Sequence, residues 1–518
     1  MTAAHPPAGG KLSRRGWFAW TAAWGLLPSL AGVLRRSRAA ARNDNPIVEE
    51  NQQPGTTQWQ LTYVRTDGGS RPLRCSLVEG YASHTSIRPG EKLQVMVSLH
   101  PPGTFEADVY RLGYYGGTGG RHLLHLGPFQ GRRQPDPPVG KERLRDCQWE
   151  PSFELEIPPS WTSGVYLIKL TRLPQANNPK TRVHAYQSYV VFILRDQRPA
   201  QIVFQCSDNT WQAYNRWPDQ FSLYNDGTRP WALKAGVRVS FNRPYAKYCQ
   251  ILDAPLSLGS GEFLLWEFPL AYWLEQHGYD VTYVSNLDVH RSADTLTRAR
   301  CFLSVGHDEY WSLEQYQHVK QAIQAGVSVG FLSGNTCCFV SPYGPDSRGR
   351  PERTITRAGR FGGVSPAERG YMGPFPLEGP NEALIIGART VSPFNGGADW
   401  IVRRADHWLF EGTGMKNGEA IPGLVGWEFH GDPASLPGLE VVASGTTKNS
   451  ADKTATYTAT VYPGPKGNWV FNAATIFWAQ GLSSPPGHLL PASHYTRPHG
   501  PDPRVQRITR NFLERAVG

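Results

Sequence analysis

No C-x-x-C pair occurs in the chain, which excludes a zinc ribbon and a thioredoxin-type redox site. Nothing repeats at a fixed period, so a repeat architecture is excluded as well. No cluster of Lys and Arg with interleaved aromatics marks a nucleic-acid face, and nucleic acid is not expected as a partner. Acidic residues are missing from the first 41 positions, which hold six basic ones: Lys11, Arg14, Arg15, Arg35, Arg36 and Arg38. Of the 53 basic residues 47 remain beyond that leader, against 43 acidic ones, so the net charge of +10 falls to +4. The basic excess belongs mostly to the leader.

At 518 residues the chain exceeds one ordinary core, and two domains are expected. A hydrophobic fraction of 40%, with 54 Gly, 43 Pro and 17 Trp, describes a loop-rich globular protein. Ser13-Arg14-Arg15-Gly16-Trp17-Phe18 resembles a twin-arginine export signal, and the small residues Ala39-Ala40-Ala41 follow. Residues 1–41 are therefore read as a signal segment, and the mature protein as periplasmic or extracellular without stable membrane insertion. The alternative is an uncleaved anchor, since the 19 uncharged residues from Gly16 to Leu34 nearly span a bilayer. Gly25, Pro28, Ser29 and Gly32 count against it. In an oxidising compartment some of the seven cysteines can pair, and Cys75 with Cys147 is the expected pair because both lie early in the chain.

From Trp59 the pattern is one of short alternating runs cut by Gly and Pro, among them Leu93 to Leu99, Phe105 to Tyr110, Phe153 to Ile157, Val165 to Leu170 and Ser188 to Ile193. This is the pattern of a β-sandwich, expected over residues 42–196. After Arg195-Asp196-Gln197-Arg198-Pro199 strands alternate with helices. Ile202 to Cys206, Val281 to Ser285, Cys301 to Val305 and Val327 to Leu332 read as strands, and Phe263 to His277, Ser292 to Arg298 and Leu313 to Ala325 as helices. Such alternation predicts a doubly wound, mainly parallel α/β sheet for residues 197–518.

The chain is organised around Arg300 to Ser312, R-C-F-L-S-V-G-H-D-E-Y-W-S. An apolar strand stops at Gly306, releases a row of polar side chains, and meets a helix start at Ser312, with Gln315 at capping-box spacing. Ligands of open parallel sheets bind beyond the carboxyl ends of the strands. Those ends carry Ser207-Asp208-Asn209, Asn286, His307-Asp308-Glu309 and Ser333-Gly334-Asn335. Alternation along an extended turn puts His307 and Glu309 on one side and Asp308 on the other. The plainer reading is that these acids only complement the helix dipole. Two aromatic motifs, W-Q-A-Y-N with Tyr214 and S-F-N-R-P-Y with Tyr245, lie between the first two strands, where either phenol could equally be a hydrogen-bonded core group.

Together S-V-G-H-D-E-Y-W-S, W-Q-A-Y-N, S-F-N-R-P-Y, L-S-G-N, G-L-V-G-W-E and V-F-N-A-A-T-I-F-W resemble the C-terminal domain of the N,N-dimethylformamidase large (beta) subunit family. N-P-I-V-E-E-N, E-G-Y-A-S, Y-R-L-G-Y-Y-G-G and P-P-S-W-T-S-G-V-Y-L-I-K-L resemble the sandwich domain that precedes it in many relatives. The resemblance implies a glutamine-amidotransferase-like fold, hydrolysis of amide C–N bonds and a mononuclear Fe(III) cofactor held by two tyrosinates and a glutamate. Carried over by motif, the metal ligands are Tyr214, Tyr245 and Glu309, with Tyr248 as a rival to Tyr245. His307, Asn335 and Glu428 fall at the catalytic positions. Hard anionic oxygens suit a hard cation, His307 or Glu428 could move the proton that the leaving amine needs, and Asn335 could hold the carbonyl or its oxyanion.

The implied substrate is a small-molecule amide. A small partner subunit is not evident in the sequence, and homo-oligomer formation stays open. Two rivals stand beside this reading. One is a cysteine nucleophile serving with His307, for which Cys206 is the nearest candidate, although it lacks a Gly-flanked elbow. The other is a non-catalytic exported glycan- or surface-binding protein.

Overall fold

Alternation of buried and exposed side chains, as in Lys92–Ser98 and the first half of Gly103–Leu112, turns the early part of the chain into strands with one face inward. The computed structural model describes residues 45–518 except 69–72, 181, 229–230, 248–254, 367, 392–395, 450 and 492–498. The leader, with its export and anchor readings, and Tyr248 lie outside the described residues.

Two small sheets form first. One joins Glu79–Ala82, Lys92–Ser98 and Phe153–Glu156, all antiparallel. The other runs in the order Ser86–Ile87, Gln187–Leu194, Gly164–Arg172, Gly103–Leu112 and Gly120–Gly131. Gln187–Leu194 is buried along its whole length, and Gly164–Arg172 at all but one position. Glu79–Ala82 and Val281–Ser285 both lie against Gln187–Leu194, and helix Phe268–Gln276 meets the strand Gly103–Leu112. Arg111 meets Glu275 there in a bidentate pair of 2.8 and 3.0 Å, both side chains fully buried. A buried pair of this kind fixes where the layers dock more than it stabilises them. One apolar core continues from Trp59 through Val191 and Phe268 to Phe512, and Asn43–Gly518 is one compact unit.

The large sheet has nine strands in the order Val281–Ser285, Ala200–Cys206, Ala299–His307, Ser328–Gly334, Trp469–Asn472, Thr454–Pro463, Glu440–Asn449, Gly396–Ile401 and Ala420–Val425. The first five are parallel to their neighbours, whereas every pairing beyond Trp469–Asn472 is antiparallel. The sheet is therefore mixed, and the mainly parallel expectation holds only for its first half. In the second half Glu440–Asn449, Thr454–Pro463 and Trp469–Asn472 follow one another in sequence as an antiparallel meander, and antiparallel neighbours need no crossover helix.

Three local expectations need correction. The helix expected from Phe263 to His277 breaks at Glu267 into Phe263–Trp266 and Phe268–Gln276, with Pro269 in the first turn of the second piece. Ser312 does cap Leu313–Ala325, accepting from the Gln315 amide at 3.0 Å, but the Gln315 side chain leaves the box and donates to Oε1 of Gln205 at 3.0 Å. Cys75 and Cys147 are both free and buried, in separate apolar clusters, so the expected disulfide does not form. Among the described residues no helix is long and apolar enough to cross a membrane.

Candidate functional site

The strand Ala299–His307 ends on Gly306, whose φ of +65° turns the chain into the loaded loop. A Cβ at Gly306 would lie 2.7 Å from Cβ of Trp266, so glycine also lets helix Phe263–Trp266 come close. Asp308 faces the sheet end, accepting from Gln205 Nε2 at 2.5 Å, Ser304 Oγ at 2.8 Å and Asn286 Nδ2 at 3.0 Å. It ties neighbouring strand ends together and is occupied by the fold. His307 and Glu309 point the other way, Nε2 of His307 lying 3.4 Å from Oε2 of Glu309.

On the next strand Gly334 approaches the Glu428 segment so closely that a Cβ would fall 2.2 Å from the Glu428 carbonyl oxygen. That approach delivers two side chains. Asn335, at φ +54°, donates from Nδ2 to Oε1 of Glu309 at 3.1 Å, and the Glu428 carboxylate is in contact with Nε2 of His307. His430, two residues on, accepts the Thr336 amide on Nε2 at 3.1 Å and meets Asn472 through Nδ1 at 2.6 Å, which pins the Asn335 loop.

The phenols come from elsewhere. Tyr214 ends helix Asp208–Tyr214 and donates to Oε2 of Glu309 at 2.8 Å. Tyr224 donates toward the oxygens of Tyr214 and Glu309, at 2.6 and 3.1 Å, and itself accepts from Tyr310 at 2.7 Å. Arg357 lies over the Tyr224 ring, its guanidinium carbon 4.8 Å from the centroid. The cluster is buried throughout. Burial, reinforced by the charge of Glu309, holds the hydroxyls of Tyr214, Tyr224 and Tyr310 well above the usual phenol range. The three protons therefore stay on, and the bonds run one way, from Tyr310 to Tyr224 to Tyr214 to Glu309. Burial works against a charge on His307, but Glu428 and Glu309 outweigh it and keep the imidazole well above its ordinary value. The carboxyl of Glu428 is held up by its own burial against the pull of His307.

Thus Tyr214, His307, Glu309, Asn335 and Glu428 come together. Tyr245 packs edge-on to Trp211, ring centroids 6.4 Å apart, beside a small cavity that Tyr214 also lines. The two aromatic motifs are nonetheless locked to each other, since Asn215 donates to the Pro244 carbonyl at 2.9 Å and accepts the Ala246 amide at 3.0 Å. Cys206, the nucleophile candidate, is buried, and its thiol is pushed well up, first by burial and then by Glu267, which suits packing and not attack. Sequence reasoning missed Tyr224 and Tyr310. Tyr310 stands inside the H-D-E-Y motif, and Tyr224 follows Tyr214 by ten positions without any periodic signal.

Residues 106–495 match the family model for the C-terminal part of N,N-dimethylformamidase beta subunit-like proteins. The chain belongs to this family. The match begins within the strand Gly103–Leu112, so the family's shared region includes part of the early sheets as well as the nine-stranded one. Curated proteins give no match. Among solved structures, a family 123 glycoside hydrolase from Clostridium perfringens, studied for glycolipid glycan hydrolysis, aligns over 30% of this chain and 32% of its own. At 8% identity and a TM-score of 0.11 that likeness bears on neither fold nor function. Among the described residues no group of three or more His, Cys, Asp or Glu side chains is placed to hold a metal.

Proposed function

We propose that the chain is an exported, metal-dependent hydrolase of amide C–N bonds, with the α/β region 197–518 as an amidotransferase-like catalytic domain and 42–196 as its sandwich. The observation that carries this reading is the convergence of the side-chain oxygens of Tyr214, Tyr224 and Glu309, within 3.1 Å of one another in a buried site. Such a set of hard donors fits a mononuclear Fe(III), and burial raises the cost of the phenolates in a way that a cation would offset. Tyr214, Glu309 and a second tyrosine would hold the ion. By motif the second is Tyr245, by proximity Tyr224. When bound, the ion would polarise the amide carbonyl and lower the pKa of water.

The protein's own groups supply the remainder. His307 holds a proton at Nε2 between two carboxylates, from where it can pass to the departing nitrogen, and Glu428 keeps the imidazole charged until then. Asn335 gives one N–H of its amide to Oε1 of Glu309, which orients that carboxylate, and the second N–H would be the one to hold the carbonyl or its oxyanion. The test is elemental analysis and a visible spectrum of the protein expressed with iron supplied. Stoichiometric iron with a tyrosinate charge-transfer band is expected, together with amide hydrolysis. Colourless, metal-free protein would leave the non-catalytic binding reading in its place.

A further inference from the structure

Tyr310 stands at the far end of the row of phenols, and contacts outside the row fix it there. Tyr310–Trp311 pairs with Phe339–Val340 as a short parallel strand, Nδ2 of Asn209 donates to the Tyr310 carbonyl at 3.0 Å, and the ring stacks on Phe339 with centroids 5.5 Å apart. Its hydroxyl donates to Tyr224 at 2.7 Å, and Nη1 of Arg357 approaches that hydroxyl at 3.4 Å. Arg357 is buried, and its other hydrogen bonds go to the carbonyls of Leu223, Ala232 and Lys234, not to a carboxylate. Its guanidinium carbon lies 4.8 Å from the ring centroid of Tyr224 and 5.1 Å from that of Phe339. A buried cation without a carboxylate is costly unless an anion comes near it.

An ion held by Tyr214, Tyr224 and Glu309 would displace the two protons that these phenols now donate along the row, and both would leave to solvent. Tyr310 donates into the row from its end, so its proton has no ion to yield to. Resting on the iron-hydrolase reading with Tyr224 as the second phenolate, we propose that Tyr310 is a positioning residue for the metal: a phenol that keeps its proton and donates it to the Tyr224 oxygen, with the charge of Arg357 behind. A hydrogen bond to an ionised oxygen is about twice as strong as a neutral one, so this contact tightens when the ion enters. It also draws electron density from the Tyr224 oxygen, which raises the energy of charge transfer from that phenolate. Tyr214 accepts from Tyr224 and loses that donor once Tyr224 is ionised, so the two phenolates are unequal.

The visible spectrum of iron-loaded Tyr310→Phe tests this. The band should move to longer wavelength at undiminished intensity, and iron should bind about tenfold more weakly in competition with a chelator, the scale for losing a group that orients a metal ligand. Should that variant fail to fold, the wild type carries a second readout: in resonance Raman spectra, exchange into heavy water should shift the phenolate mode of one tyrosine and leave the other in place. A lower melting temperature with an unmoved band gives Tyr310 a structural role alone and overturns the proposal, as do two modes that both ignore heavy water. Lost intensity overturns it too, by making Tyr310 a ligand. A colourless wild type sinks the iron reading and the proposal together, whereas each of the other failures appears in coloured protein and sinks the proposal alone.

Discussion

His307, Glu309 and Asn335 hang from the ends of two adjacent parallel strands, whereas Tyr224 and Tyr245 come from irregular chain between residues 215 and 247. The first group is aimed by a backbone ladder that runs in unbroken register from Cys301–Ser328 to His307–Gly334. The second is aimed by side chains. Arg243 alone donates to the carbonyls of Gln212, Asn215, Trp217 and Phe221, gathering the excursion around one guanidinium. The early sheets reach in to hold it too: Asp146 accepts from Ser240 at 2.7 Å and Asn242 at 3.0 Å, and Glu79 accepts from the Trp217 ring at 2.8 Å. The described excursion holds one short ladder, Arg238–Ser240 against Thr354–Thr356, and both tyrosines lie outside it.

The largest expected effect falls where the two regions meet. Glu309→Ala removes the acceptor that both share, so retained metal should drop by more than tenfold in elemental analysis. The variant should also lose about 2 kcal/mol of stability in a denaturant melt, because the Tyr214 hydroxyl and the Asn335 amide are left buried without a partner. Unchanged metal content would remove Glu309 from the ligand set.

Next comes the contest between motif and proximity for the second phenol. Tyr214→Phe should bleach the visible band on either account. If proximity decides, Tyr224→Phe shifts or bleaches the band and Tyr245→Phe leaves it alone; the opposite pair of results restores the motif assignment. Each variant deletes one oxygen and almost no volume, so a collapsed fold is not expected to confuse the spectra.

This contest marks how far the sequence can be read. Parity along an extended loop is enough to place His307 with Glu309 and send Asp308 to the sheet, because a strand end inherits the period of its strand. Apolar runs alternating with helical spacing likewise give the parallel half of the sheet. The antiparallel half is legible only in part: Thr454 to Val461 and Trp469 to Asn472 read as strands, whereas a Gly-rich strand such as Gly396–Ile401 carries weak alternation. Tyr310 defeats parity for a local reason: Tyr310–Trp311 pairs with Phe339–Val340 as a new short strand, and the backbone has already turned. Tyr224 is invisible because its position depends on Arg357 and Arg243, contacts that no local pattern encodes.

An effect smaller at the metal site, though larger on stability, separates the two regions from outside. Asp146→Ala removes the early sheets' hold on Ser240 and Asn242 and should cost about 3 kcal/mol, the usual scale for several hydrogen bonds to one buried carboxylate. If the excursion depends on that hold, the visible band should broaden or weaken while far-UV circular dichroism is unaltered. A sharp, full-strength band at the lower melting point would show the excursion to be self-supporting.

The smallest effect concerns the strand-end side alone and is read against pH. Burial pushes the His430 imidazole down to about 4. Folded His430 therefore stays neutral where an unfolded histidine, near 6.5, already takes a proton. The unfolded state binds more protons below that value, so this residue's contribution to stability is full above about pH 6.5 and is lost as pH falls toward 4. Between pH 7 and pH 5 the loss amounts to about 2 kcal/mol, from 1.36 kcal/mol per unit of difference. His430→Gln cannot titrate, and it should flatten the stability profile over that window while lowering the plateau, because Gln cannot serve the Thr336 amide and Asn472 in the same geometry. Since His430 pins the loop of Asn335, acid should loosen the carboxylate's Asn335 contact before it disturbs the phenols. A profile that keeps its slope in His430→Gln would assign the acid sensitivity to other groups.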